Sequence, residues 1–264
     1  MSRISKVFSG GRKALVVYLT AGFPEPGADE ELALEAIDSG ADILELGFPF
    51  SDPVADGPLI QEASSRALRN GMTLAGTIAL AGRIREQRRT PVLLMGYVNP
   101  VHRMGFDVFA RELSHAGGDG AIIPDLPHQA AGPLRDAMRQ KDLDLIPMAA
   151  PNTPPQRLEE IIASGEGFLY LVSMAGLTGD VIKKEAPWQK VAALARENSR
   201  LPICIGFGIR TALDAVRAAE HANGIVVGSA ITALINEAAD ITDAKNKVGK
   251  RVKEYAEALR EVED

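Results

Sequence analysis

The sequence predicts an α/β protein, a single (β/α)8 TIM barrel spanning residues 1–264 with extra helices. Three observations predict it. Short apolar or β-branched runs recur along the whole length, each followed by a turn and a longer segment with helical spacing of apolar residues. Eight such runs occur, the number a closed barrel needs. No long Pro-, Gly- or Ser-rich linker divides the chain. A length of 264 residues also suits two small domains, and open doubly wound sheets produce similar runs. Even spacing to the end of the chain favours the barrel.

The first strand, 14–20, holds Val16-Val17-Tyr18-Leu19, apolar on both faces as a parallel strand covered by helices must be. A helix over 30–39 leads to the second strand, 43–47, and two helices, 61–69 and 73–88, precede the third at 92–96. The remaining pairs follow in order: helix 107–116 and strand 120–123, helix 129–140 and strand 144–148, helix 155–163 and strand 168–173. Helix 188–197 then precedes strand 202–206, and helix 212–219 precedes strand 224–227. A last helix falls within 244–260. Two features break the repeat: the doubled helix after the second strand, and a short helix, Ser229–Asn236, directly after the eighth. The second is placed to bind phosphate.

Acidic residues number 35 against 29 Lys and Arg, and a net charge of −6 argues against a general nucleic-acid footprint. The single cysteine, Cys204, lies in the apolar run 201–205, reads as a buried thiol and cannot form an intramolecular disulfide. The first residues carry Arg3, Lys6, Arg12 and Lys13 but no signal-type apolar core, and nothing approaches the ~20 apolar residues of a spanning helix. A cytoplasmic enzyme is the expectation.

In a parallel barrel the loops after the strands gather at one face, so chemistry is sought there. Gly206-Phe207-Gly208 and Gly228-Ser229 supply backbone free of bulky side chains beside a helix start, the arrangement that presents amides to a phosphate; Gly176 and Gly179 add to it. Each glycine alone also suits a simple tight turn. Glu45 ends an apolar strand, where an unpaired carboxylate is costly to bury and its pKa is pushed towards neutrality, as an acid/base catalyst requires. A structural ion pair with an arginine is the plainer alternative. Asp56 is weaker by itself, because loop aspartates commonly cap turns. A Schiff-base aldolase needs a positioned lysine and a metal aldolase a ligand cluster. No lysine falls on a strand after Lys13, Lys183-Lys184 sit in a loop, and His102, His115, His128 and His221 show no ligand spacing. Only His128 falls near the expected active face, and no metal site is expected.

The segment Leu44-Glu45-Leu46-Gly47-Phe48-Pro49-Phe50-Ser51-Asp52-Pro53-Val54-Ala55-Asp56-Gly57-Pro58 closely resembles the signature of the tryptophan synthase α-subunit family. Leu19-Thr20-Ala21-Gly22-Phe23-Pro24, Met95-Gly96-Tyr97-Val98-Asn99-Pro100, Pro124-Asp125-Leu126-Pro127, Gly176-Leu177-Thr178-Gly179 and Gly206-Phe207-Gly208-Ile209 extend the likeness in order along nearly the whole chain. The resemblance implies a lyase of tryptophan biosynthesis that cleaves indole-3-glycerol phosphate to indole and glyceraldehyde 3-phosphate. It implies Glu45 as general acid/base, Asp56 as the carboxylate on the indole N–H, and Tyr170 beside the glutamate. It assigns the phosphate to Gly179, Gly208, Gly228 and Ser229, and the indole pocket to Tyr18 and Phe207. Thr178 is expected to position Asp56 when its loop closes, although Met174 and Leu177 stand where some members carry arginine and valine. No cofactor is expected in this chain: pyridoxal phosphate belongs to a partner β subunit, met in an α2β2 complex through the loop 49–57 and the segment 97–100, with Pro53 and Asn99 as contacts. A standalone lyase with the same residues, a different phosphosugar enzyme on this barrel, and an inert activator of a β-type subunit are the rivals.

Overall fold

In a computed structural model, which describes residues 2–172, 187–198, 201–206 and 208–262, the chain forms one sheet of nine parallel strands. They are β1 (Ala14–Thr20), β2 (Ile43–Gly47), β3 (Val92–Met95), β4 (Gly120–Ile122), β5 (Asp144–Leu145), β6 (Met148–Ala149), β7 (Leu169–Val172), β8 (Ile203–Gly206) and β9 (Gly224–Val227). The spatial order β5-β4-β3-β2-β1-β9-β8-β7-β6 makes consecutive strands neighbours except β5 and β6, which end the order, and β9 returns to pair with β1. The predicted fifth strand, 144–148, is divided into β5 and β6. Pro147 lies between them and has no N–H to give a ladder. The divided segment still closes the barrel: Ile146 N–H donates to Ala121 O of β4 at 2.9 Å, while Pro147 O accepts from Tyr170 N–H of β7 at 2.9 Å.

The helices among the described residues are α1 (Arg3–Val7), α2 (Ala28–Asp38), α3 (Pro58–Arg69), α4 (Leu74–Gln87), α5 (Val98–Met104), α6 (Phe106–His115), α7 (Gly132–Arg139), α8 (Pro155–Ala163), α9 (Pro187–Asn198), α10 (Ala212–Ala219), α11 (Ser229–Asn236) and α12 (Ile241–Arg260). The doubled helix (α3, α4) and the short helix after the last strand (α11) stand where the sequence puts them. Local chemistry starts several of the others. Thr73 caps α4 by accepting from Gly76 N–H, Thr211 and Asp214 form a reciprocal capping box on α10, and Asp240 accepts from Asp243 N–H to start α12. Two helices escape the sequence reading. Residues 97–100, read as a loop, open α5, where Pro100 is tolerated because first-turn N–H groups have no partner within the helix. The other is α1, capped by Ser2.

Strand alternation sorts the buried side chains into two layers. Leu15, Val17 and Leu19 of β1 and Leu44 and Leu46 of β2 point outward into the helix layer. Val16 and Tyr18, Ile43, Leu93 and Met95, Tyr170, Cys204 and Val226 point into the barrel. Cys204 is buried and free, as expected. The end of the barrel at the strand N-termini is stoppered by α1: Ile4 is fully buried, Arg3 pairs with Asp119 and donates to Gly117 O at 2.9 Å, and Ser2 Oγ donates to Asp144 at 2.7 Å. With that end plugged, the open face is the one at the strand C-termini.

Candidate active site

Glu45 shares the inward parity of Ile43 on β2, in register with Tyr18 of β1 on one side and Leu93 of β3 on the other. It is 0% exposed, and among the described residues neither carboxylate oxygen has a hydrogen-bond partner. The arginine pairing that would have made it structural is not made there. Burial, and secondarily the negative field of Asp56, push its pKa up to about 8.

Asp56 reaches the same space from the loop after β2. That loop is held at both ends: Ser64 of α3 bonds Phe50 through its N–H and its carbonyl, each at 3.0 Å, and Gln61 donates to Asp56 O at 2.8 Å. The Asp56 side chain is buried and, among the described residues, accepts one hydrogen bond, from the hydroxyl of Tyr97 at 2.8 Å. Burial raises its pKa to about 6, and the Tyr97 bond opposes that rise. Tyr97, immediately after β3, also accepts from Ala55 N–H at 3.0 Å and stacks on Phe50 at 5.3 Å between ring centroids.

Two tyrosines flank the carboxylates. Tyr18 bonds Thr20 at 3.2 Å and lies so close over Gly47 that a β-carbon there would meet its hydroxyl at 2.2 Å. Tyr170 lies over Gly206 in the same way, at 2.3 Å. Gly206 therefore ends β8 beneath a ring, a position that leaves no room for a β-carbon. Burial, then the charges of Glu45 and Asp56, raise the pKa of the Tyr170 hydroxyl, so it stays protonated.

One cavity is lined by Tyr18, Glu45, Asp56, Tyr170, Gly208, Gly228 and Ser229, together with Ile60, Met95, Ile209 and Val226. It brings together every expected site residue that is described, the two partner-contact positions excepted. Gly228 precedes α11, and its carbonyl accepts from Ile231 and Thr232 N–H, so the positive end of that helix opens beside the cavity. Gly208 has φ +79°, a backbone that favours glycine. Thr178, Gly179 and Phe207, with Met174, Gly176 and Leu177, lie outside the described residues. Pro53 is half-buried and Asn99 exposed, on adjacent loops joined by the bond from Ala55 to Tyr97. The apolar positions Ile60, Met95 and Ile209 were not singled out from sequence, nor was Tyr97, whose hydroxyl meets a partner 41 positions away that no local pattern announces.

His128 lies elsewhere, in a separate cavity between α7, α8 and the divided fifth strand that contains neither carboxylate. Among the described residues no group of His, Cys, Asp and Glu is placed to hold a metal ion.

The Tryptophan synthase alpha chain family matches residues 4–263. The tryptophan synthase alpha chain of Desulfosudis oleivorans is 40% identical over 264 residues, covering 98% of this chain and 100% of the relative; that of Chloroflexus aggregans is 46% identical over 238 residues, 88% of each. The crystal structure of tryptophan synthase subunit alpha from Legionella pneumophila superposes with a TM-score of 0.89 at 36% identity, over 98% of both chains. With a full-length match, the same barrel and an acidic cavity at its open face, this chain belongs to the tryptophan synthase alpha chain family.

Proposed function

We propose that in this family's reaction, the retro-aldol cleavage of indole-3-glycerol phosphate to indole and glyceraldehyde 3-phosphate, Glu45 is the general acid/base and Asp56 stabilises the charge that develops on the indole nitrogen. The observation that carries the assignment is the pair of carboxyls in one cavity. One is fully buried with both oxygens unpartnered among the described residues; the other is held by a tyrosine. Neutral Glu45 delivers its proton to indole C3, making an iminium-like electron sink. Ionised Asp56 opposes the positive charge at nitrogen. The Glu45 carboxylate then takes the proton of the glycerol hydroxyl next to the scissile bond. The C–C electrons return to the ring, and indole and aldehyde separate with Glu45 protonated again. No lysine, metal or prosthetic group enters these steps.

Tyr170 packs beside Glu45, and Tyr18 forms a wall of the indole pocket, to which the resemblance adds Phe207. The phosphate falls to Gly208, Gly228 and Ser229 at the start of α11, with Gly179 added by resemblance. Thr178 is assigned by resemblance to position Asp56. One continuous sheet supports reading 1–264 as a single domain. The family's α chains carry no pyridoxal phosphate themselves, and the reading gives this chain no cofactor. Its partner is a tryptophan synthase β subunit, in an α2β2 complex to which indole passes. Pro53 and Asn99 are its contacts, and Val54, 77% exposed, adds an apolar side chain to the same rim. No helix among the described residues is long and apolar enough to cross a membrane, which accords with a cytoplasmic location.

The deciding experiment compares the parent with Glu45→Gln on indole-3-glycerol phosphate plus β subunit. The variant should lose at least about 100-fold in kcat, the lower end of what a positioned acid/base contributes. Cleavage near the parental rate would remove Glu45 from the role.

A further inference from the structure

We infer that Tyr97 is a positioning residue for the cleavage reaction: its hydroxyl holds Asp56 in place and ties that carboxylate to the segment 97–100 at the rim. This rests on the reading of Asp56 given above.

The geometry is specific. The Tyr97 oxygen has one proton to donate, and Asp56 Oδ2 takes it at 2.8 Å; the same oxygen accepts Ala55 N–H at 3.0 Å. One hydroxyl thus fixes both the carboxylate and the backbone beside it in a loop that otherwise hangs from α3. The ring is almost fully buried, stacked on Phe50 of the same loop, and lines a recess with Tyr18, Thr20 and Asp56 that adjoins the cavity of Glu45. The next residue, Val98, donates its N–H to Asp125 at 2.8 Å and opens α5, which presents Asn99 at the surface. Asp56 is therefore connected, through covalent chain and two hydrogen bonds, to segments that follow β3 and β4.

The chemistry explains the need for a donor here. Asp56 sits in a low-dielectric cavity with a second carboxyl, Glu45, and the hydroxyls of Tyr18 and Tyr170 facing it; its bond to Tyr97 favours the ionised form that an indole N–H requires. Burial first, then Asp56 and, more weakly, Asp125, raise the pKa of the Tyr97 phenol and keep it protonated and donating.

The test is Tyr97→Phe, which removes one oxygen and keeps the ring on Phe50, assayed in the complex with β subunit and indole-3-glycerol phosphate, alone and combined with Asp56→Asn. In the parent background kcat should fall about tenfold with KM within about twofold, and the acid limb of kcat should move to higher pH. In the Asp56→Asn background the same change should cost less than about twofold, because the carboxylate that the link positions and keeps ionised is gone even though the amide oxygen still accepts. A parental kcat with an unmoved acid limb overturns the inference. So does an equal loss in both backgrounds, which would mark general loosening of the loop. If Asp56→Asn itself cleaves at the parental rate, the carboxylate assignment and this link fall together. A silent Tyr97→Phe beside an inactive Asp56→Asn removes the link alone.

Discussion

Glu45 and Asp56 are carboxyls of nearly the same intrinsic acidity that burial and neighbours set apart, Glu45 at about 8 and Asp56 at about 6. The proposed chemistry needs the first protonated and the second ionised, so both are in their working forms between those values. The kcat profile for cleavage should therefore be bell-shaped, falling below about pH 6 as Asp56 takes a proton and above about pH 8 as Glu45 loses one. Because the two repel each other, the limbs belong to the pair. A flat profile across that range would sink the assignment. The same burial costs stability. Glu45 has its folded pKa raised from 4.5, so between 4.5 and about 8 the folded state holds a proton that the unfolded chain has released. Its contribution is fully present below pH 4.5 and is lost as pH rises through about 8. Glu45→Gln, which cannot ionise, should raise Tm relative to the parent by more at pH 8 than at pH 5, readable by calorimetry at the two pH values. A Tm difference independent of pH would mean that the carboxyl does not titrate in this window.

Each strand contributes at its two ends to two separate tasks. At the C-terminal ends, Tyr18 of β1 and Tyr170 of β7 lean over Gly47 and Gly206 of the neighbouring strands, where a β-carbon would collide with the hydroxyl. Gly206→Ala should therefore displace Tyr170, lower stability by about 1–3 kcal/mol through overpacking and reduce cleavage, measured by denaturant unfolding and by kcat. At the opposite end, Asp119 precedes β4 and gathers Arg3 of α1, Arg85 of α4 at 2.6 Å and Val92 N–H at 2.8 Å. Asp119→Ala leaves half-buried Arg85 and the Val92 N–H without their carboxylate, and exposed Arg3 without its partner, and should cost about 1–3 kcal/mol. Since Asp119 lies across the barrel from Glu45, kcat of the folded fraction should be unchanged; a fall in kcat would mean that the plug communicates with the site. Legibility differs between such elements. The run of β-branched residues in β1 and the period of α4 announce themselves locally. The break at Pro147 and the helix α5 do not, because a proline in the sequence is equally consistent with a loop, a strand gap or a first helical turn.

For the whole molecule, the family's reaction belongs with a β subunit, and the surface proposed to meet it is the loop carrying Asp56 with the segment beginning at Tyr97. Adding β subunit should accelerate indole release, followed by product formation with and without partner; equal turnover in both conditions would make this a standalone lyase. The alternation of strands and helices, apart from α1, α5 and the break at Pro147, together with the buried cysteine, the helix after the last strand and the suspicion attached to Glu45, was determined by sequence alone. These are local matters: apolar runs, helical periods, a charged residue inside a strand. The long motif from Leu44 to Pro58 added the substrate, because a family's chemistry is carried by residue identities at fixed spacing. Only the tertiary structure decided that the Glu45 carboxylate has no partner among the described residues, that Tyr97 is bound to Asp56, and that Gly206 lies under a ring. It also decided that His128 belongs to a different cavity. Those facts depend on which side chains the closed barrel brings within about 3 Å of one another from distant positions, a distance set by strand register and side-chain parity rather than by any local pattern.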